Sequence, residues 1–129
     1  MVRGSGLESR WVMPDTLDFG ASLTPASNDT IELDLWVTNK SDRPFTAMRG
    51  MICILLKRAK GFNQQSADNK EFGKSIARVR SGNRAIAVEW ENCGRTWGNP
   101  QVPCMHSDPL LPDCKPGETV HARGKLWFT

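Results

Sequence analysis

The chain has 129 residues, 39% hydrophobic and 24% charged, with a net charge of +3 and a pI near 8.8. That length fits one domain able to bury a core without metals or disulfides. The mild, scattered basicity falls short of a nucleic-acid footprint, and no run reaches the ~18 apolar residues of a membrane helix, so neither nucleic acid nor membrane is expected as a partner.

The opening MVRGSG (residues 1–6) reads as a cloning remnant or linker, without the apolar h-region of a signal peptide. Residues 7–129 would then be one domain cut from a larger multidomain chain. Trp11-Val12-Met13 and Leu17-Asp18-Phe19 are short strand-like pieces separated by Pro14, and Pro25, Asn28 and Asp29 mark a loop. Ile31 to Thr38 alternates strictly and predicts a strand, followed by a turn over Asn39 to Pro44. Thr46 to Lys57 is the longest apolar run; lacking clean alternation, it predicts a central strand covered on both faces or one bulged at Gly50. Lys57-Arg58-Ala59-Lys60, the densest basic run, reads as a solvated strand end.

Residues 58–75 are polar and read as a long loop. Ile76–Arg80 and Arg84–Glu91 predict a hairpin around Ser81-Gly82-Asn83. Residues 92–118 read as irregular, and Thr119 to Phe128 as a last strand. No helix of period 3.6 is visible. The expected fold is therefore all-β: a single-domain antiparallel β-sandwich, Ig-like or jelly-roll, with long irregular loops at 58–75 and 92–118.

Five Trp and no Tyr make the aromatic balance unusual. Trp90 shares its strand face with Ile86 and Val88 and is expected in the core; Trp11 is ambiguous. Trp36 shares its face with Glu32, Asp34 and Thr38, and Trp127 shares its own with Thr119, His121, Arg123 and Lys125. Each is an indole on an otherwise polar face. Trp97, in a segment read as a loop, is a third exposed indole. Either the segments 58–75 and 92–118 lie over Trp36 and Trp127 as a second core, or the indoles form a platform for a flat ligand. A sugar ring suits the latter, with C–H groups on its faces and hydroxyls on its rim. Glu32, Asp34, His121 and Arg123 would bond the rim.

In size, inferred strands and outward Trp, the chain resembles the β-sandwich carbohydrate-binding modules attached to polysaccharide-degrading enzymes. The resemblance implies a non-catalytic, monomeric, extracellular module for a plant-type polysaccharide, a β-glucan such as cellulose or a xylan. It requires no cofactor, although many such modules hold a structural calcium ion. Here only Ala67-Asp68-Asn69-Lys70-Glu71 offers oxygen ligands, without EF-hand spacing.

Residues 91–118 carry five Pro, three of the four Cys and one of the two His. Cys93, Cys104, His106 and Cys114 could form a Cys₃His zinc site, although no C-x₂-C pair is present. This supports the alternative of a small metalloenzyme or metal-binding protein. A disulfide such as Cys93–Cys104 or Cys104–Cys114 would instead pin the loop, and would place the domain outside the cytoplasm. Cys53, in the apolar run, is either a further bridging candidate or a buried thiol. A third reading makes the outward Trp a protein interface.

Common enzyme signatures are missing: no G-x-S-x-G, no H-E-x-x-H and no P-loop. A Cys–His nucleophile pair lacks an activating neighbour in sequence. Glu89 and Glu91 share a strand face about 7 Å apart, whereas a glycosidase needs carboxyl groups across a cleft. A copper site from His106, His121 and a Cys has few ligands.

Overall fold

A computed structural model describes residues 6–129, so all of the opening segment except Gly6 lies outside the described residues. Ten strands build two antiparallel sheets, and the described residues contain no α-helix. They are β1 (Leu7–Met13), β2 (Leu17–Pro25), β3 (Thr30–Asn39), β4 (Cys53–Leu55), β5 (Lys70–Phe72), β6 (Ile76–Ser81), β7 (Arg84–Trp90), β8 (Cys93–Trp97), β9 (Cys104–Pro109) and β10 (Thr119–Phe128). The larger sheet has seven strands in the order β1-β2-β3-β10-β7-β6-β5; the smaller has three, β4-β9-β8. This is the expected all-β antiparallel sandwich.

Strict alternation forms the large sheet. In β3 the residues Ile31, Leu33, Leu35 and Val37 face inward, and in β10 the inward set includes Val120, Ala122 and Leu126. They pack with Ala77, Val79, Ile86, Val88 and Trp90 from β6 and β7. The β6–β7 hairpin closes through a two-residue loop, with Ser81 paired to Arg84 and Gly82 at φ 61°, a left-handed conformation that glycine adopts freely. Gly124 faces Trp90 across the β10–β7 pair, and a Cβ there would lie 2.8 Å from the indole. The glycine is a seat for the ring.

Two stretches depart from the sequence expectation. Thr46 to Lys57 is not a long central strand. Ala47 has φ 53°, which breaks extension, and only Cys53–Leu55 pairs as a strand. Around it the chain makes only single bridges, Phe45 with Cys114 just before the stretch and Arg49 with Leu110 within it, while Met51 and Leu55 remain exposed. Residues 92–118, conversely, are not irregular: they supply β8 and β9. Every residue of β9 is buried. Met105 and Ser107 point toward the large sheet, Met105 into the core and the Ser107 hydroxyl to the carbonyl of Ser75; Cys104, His106 and Asp108 point the other way. The polar loop 58–75 likewise contains β5 and contributes Phe62 to the core.

The small sheet lies against the β6–β7 side of the large one. The inward face of β1 and β2 extends beyond it, leaving Leu7, Trp11, Met13 and Leu23 exposed, with Trp11 stacked on Phe19 at 5.2 Å.

This orientation of β9 is testable. Met105, fully buried, leaves a cavity when cut back, and Met105→Ala lowers the free energy of unfolding by about 2–5 kcal/mol in urea denaturation. Leu55→Ala, on the exposed side of the same sheet, changes it by less than about 0.5 kcal/mol. The reverse ranking would mean that the small sheet is turned over.

Candidate functional site

The register of β3 against β10 decides where the two outward indoles lie. His121 pairs with Trp36, Arg123 with Asp34, Lys125 with Glu32, and Trp127 with Thr30. Directly opposed residues of an antiparallel pair point to the same side. Trp36 and Trp127 therefore share one face of one sheet. They are six positions apart along the strands, about 20 Å at a rise of ~3.4 Å per residue.

On the same face, over the strand positions between them, lies an open groove of about 710 Å³ whose lining includes neither indole. Its charged lining is Glu32 and Asp34 from β3, Arg123 and Lys125 from β10, and Glu89 and Glu91 from β7 and its end. Each cation of the middle strand sits between carboxylates of the flanking strands, since Lys125 pairs with both Glu32 and Glu89. Among the described residues, neither Arg123, Lys125, Glu32 nor Glu91 forms an ion pair within 4.0 Å. Their polar groups face water. His121 is engaged, its Nδ1 lying 2.9 Å from the Asp34 carboxylate, and Glu89 accepts a hydrogen bond from Ser75 at 3.1 Å.

Local sequence explains how the indoles are held. Gly20 pairs with Trp36, and a Cβ built on Gly20 would lie 2.6 Å from Trp36 Cε2 and closer still to Cζ2. The indole thus lies flat over the bare glycine backbone, on the surface of the sheet. Trp127 faces Ala87, a small and fully covered residue, across the β10–β7 pair, and the Lys125 ammonium lies 4.9 Å from its ring centre. Such an exposed cation–π contact is worth about 0.5–1 kcal/mol and yields readily to a ligand. No residue of 58–75 or 92–118 lines the groove. Both indoles are half-buried, resting on their own sheet.

Trp97 is not part of this face. It lies on β8 of the small sheet, its ring stacked on His106 at 3.9 Å and 17°, its Nε1 donating to Asp108 Oδ2 at 2.8 Å, with the Arg95 guanidinium 5.1 Å from the ring centre. The sequence expectation of a loop here fails because the strand pairs with β9, whose polar residues carry no alternating signal.

The four residues Cys93, Cys104, His106 and Cys114 are not brought together either. The Cys93 thiol lies on the opposite side of the small sheet, 3.5 Å from Ser107 Oγ, and the Cys114 thiol donates to the carbonyl of Glu118 at 3.2 Å. All four cysteines are unbridged in this structure, and the pairing of β8 with β9 orders much of residues 92–118. Cys53 is exposed rather than buried in a central strand, and it joins Cys104 and His106. Partial desolvation of its sulfur, then the adjacent Cys104, pushes the Cys53 thiol up to about 11. Burial also pulls the His106 imidazole below its usual range. Asp108 is wholly buried; burial opposes its ionisation, yet hydrogen bonds from Trp97, Arg95 and the Ile52 amide prevail and hold its carboxyl below the usual range.

The oxygen-bearing loop weighed for calcium carries its own cation. Lys70 Nζ donates to the carbonyls of Gln64 and Ser66, each at 2.6 Å, and to Asn69 Oδ1 at 3.0 Å. Glu71 is paired with Arg80 and Arg78.

Neither protein-family models, nor curated proteins, nor solved structures match this chain.

The seating of Trp36 can be checked directly. Gly20→Ala forces the indole off the sheet, at a cost of about 1–3 kcal/mol in stability, and shifts Trp36 fluorescence to longer wavelength. Unchanged emission and stability would show that the ring does not rest on Gly20.

Proposed function

We propose that the outward face of β3, β10 and β7 binds a polysaccharide, and that the chain is a non-catalytic carbohydrate-binding module. The observation that carries this reading is the strand register that gives Trp36 and Trp127 a common face, with unpaired polar side chains between them. An indole lying flat offers its π-face to the C–H face of a pyranose, and carboxylates and guanidinium groups beside it suit the hydroxyl rim. The ~20 Å spacing favours a chain of several sugars lying along the strands over a single ring held between the indoles. Trp36 and Trp127 anchor its ends; Asp34 with His121, Glu32, Arg123 and Lys125 bond the middle.

The ligand class is a β-linked plant-type glucan or a xylan, whose extended chain matches a straight groove. A polymer of this kind does not cross membranes, so the module works outside the cell, attached to a larger chain. A shallow open groove excludes little water, which makes the affinity per site modest. The small apolar overlap of sugar with indole means that each platform contributes a limited share of the total.

Affinity electrophoresis in gels containing soluble β-glucan or xylan, with depletion onto insoluble cellulose, tests this. The wild type is retarded or depleted by at least one polymer. Trp36→Ala and Trp127→Ala each weaken that binding about tenfold or more, equivalent to ~1.4 kcal/mol. Trp11→Ala, which alters an exposed indole on the other face, leaves it unchanged. Failure of the wild type to bind any polymer, or equal loss in the Trp11 variant, would overturn the assignment.

A further inference from the structure

On the outer side of the small sheet, Cys53 of β4 pairs directly with His106 of β9, and Cys104 lies two residues before His106 on the same side of β9. The Cys53 Sγ, the Cys104 Sγ and a ring nitrogen of His106 lie within 4.8 Å of one another. A tetrahedral zinc ion with thiolate bonds near 2.3 Å and imidazole bonds near 2.0 Å would set its ligands about 3.5–3.8 Å apart. The three side chains can reach that spacing by small rotamer adjustments, without moving the strands.

A second observation points to a ligand independently. His106 is 5% exposed, and its Nδ1 is buried with no hydrogen-bond partner. A buried polar nitrogen without a partner is costly. The imidazole is nevertheless held in one plane by its stack on Trp97. Its Nδ1 lies 3.8 Å from Asp108 Oδ1, and Asp108 is itself anchored by Arg95, Trp97 and the Ile52 amide. A metal on Nε2 fixes the proton on Nδ1, where a shift of under an ångström brings it into a hydrogen bond with Asp108, the carboxylate–histidine–metal arrangement. A metal on Nδ1 satisfies the orphan nitrogen itself.

We propose that Cys53, Cys104 and His106 form a binding site for a zinc ion, with a fourth position open toward solvent on the Cys53 side. Two thiolates and a neutral imidazole cancel a doubly charged ion, whereas a singly charged cuprous ion would leave a net negative charge among buried groups. Arg95 cannot supply that compensation, because it is already paired with Asp108 at 2.7 Å. Thiolate ligands likewise disfavour calcium and magnesium, which take oxygen. Each thiol loses its proton to solvent as its sulfur bonds the ion, so affinity rises with pH. The site is on the opposite sheet from the Trp36–Trp127 groove and does not depend on the sugar-binding reading.

The test is zinc titration of the reduced 129-residue chain, with bound metal measured by elemental analysis and Co²⁺ as a spectroscopic substitute. One zinc per chain is expected, and Co²⁺ gives thiolate-to-cobalt charge-transfer bands with the visible absorption of a tetrahedral site. Cys53→Ser, exposed on a short edge strand and so tolerated by the fold, lowers zinc affinity at least tenfold and removes part of the charge-transfer intensity. His106→Gln lowers the affinity similarly. Cys93→Ser, on the far side of the sheet, retains wild-type binding. Absence of stoichiometric zinc in the reduced wild type, or full zinc affinity in folded Cys53→Ser, would overturn the proposal. So would a Cys53–Cys104 disulfide in a protein that binds no zinc after reduction.

Discussion

The buried carboxylate of Asp108 is the interaction on which the two-sheet arrangement depends. It lies on the central strand of the small sheet with no exposure to solvent. Its oxygens take a bond from Arg95 and another from Trp97, both on β8, and a third from the backbone amide of Ile52, just before β4. One side chain therefore ties all three strands of the small sheet together. A buried charge is expensive unless paired and fully hydrogen-bonded, and the cost of leaving this one unpaired would be several kcal/mol. The geometry around it is correspondingly constrained: the Trp97 indole is turned inward to donate, and His106 stacks beneath it.

Because that polar cluster sits on the outer side of the small sheet, the inner side is left apolar enough to close the core. Met105 joins Val79 and Val88 in the core there, all at zero exposure. Residues 92–118 are used up in this way, and none of them lines the groove on the outward face of the large sheet. The Trp36–Trp127 face stays open as a result. The same physical device recurs on both faces: a glycine in one strand directly opposite an indole in the next. Gly124 receives Trp90 in the core and Gly20 receives Trp36 on the surface. A large ring is flattened against the sheet in each case, buried on one side of the molecule and displayed on the other.

The legible part of the fold was the part governed by period-two alternation. β3, β10 and the β6–β7 hairpin stand within a residue or so of where the pattern puts them, because each buries one face and wets the other. The faces of Trp36, Trp90 and Trp127 followed from the same parity. β9 was hidden because Cys104, His106, Ser107 and Asp108 read as a polar loop; their burial rests on tertiary contacts, above all the bonds to Asp108 and the stack of His106 on Trp97, which leave no local pattern. Thr46 to Lys57 misled in the opposite direction. Its apolar residues serve several separate contacts, with Met48, Ile52 and Ile54 against the core and Met51 and Leu55 in water, so richness in apolar residues did not mean one buried strand. The grouping of Cys53 with Cys104 and His106 was equally invisible, since about fifty residues separate Cys53 from the other two in sequence. The glycine seat under Trp36 had a signal in the pairing of Gly20 with an outward aromatic, but only once the β2–β3 register was known.

The central claim is that the outward sheet face is where a ligand sits. The five indole N–H groups give five separable signals in a ¹H–¹⁵N NMR spectrum, and titration with a soluble β-glucan or xylan oligosaccharide reads them one by one. The account predicts that the Trp36 and Trp127 signals move together in one saturable transition, while those of Trp11, Trp90 and Trp97 stay in place. Movement of Trp11 or Trp97 without Trp36 and Trp127, or no movement of any signal at millimolar oligosaccharide, would contradict it.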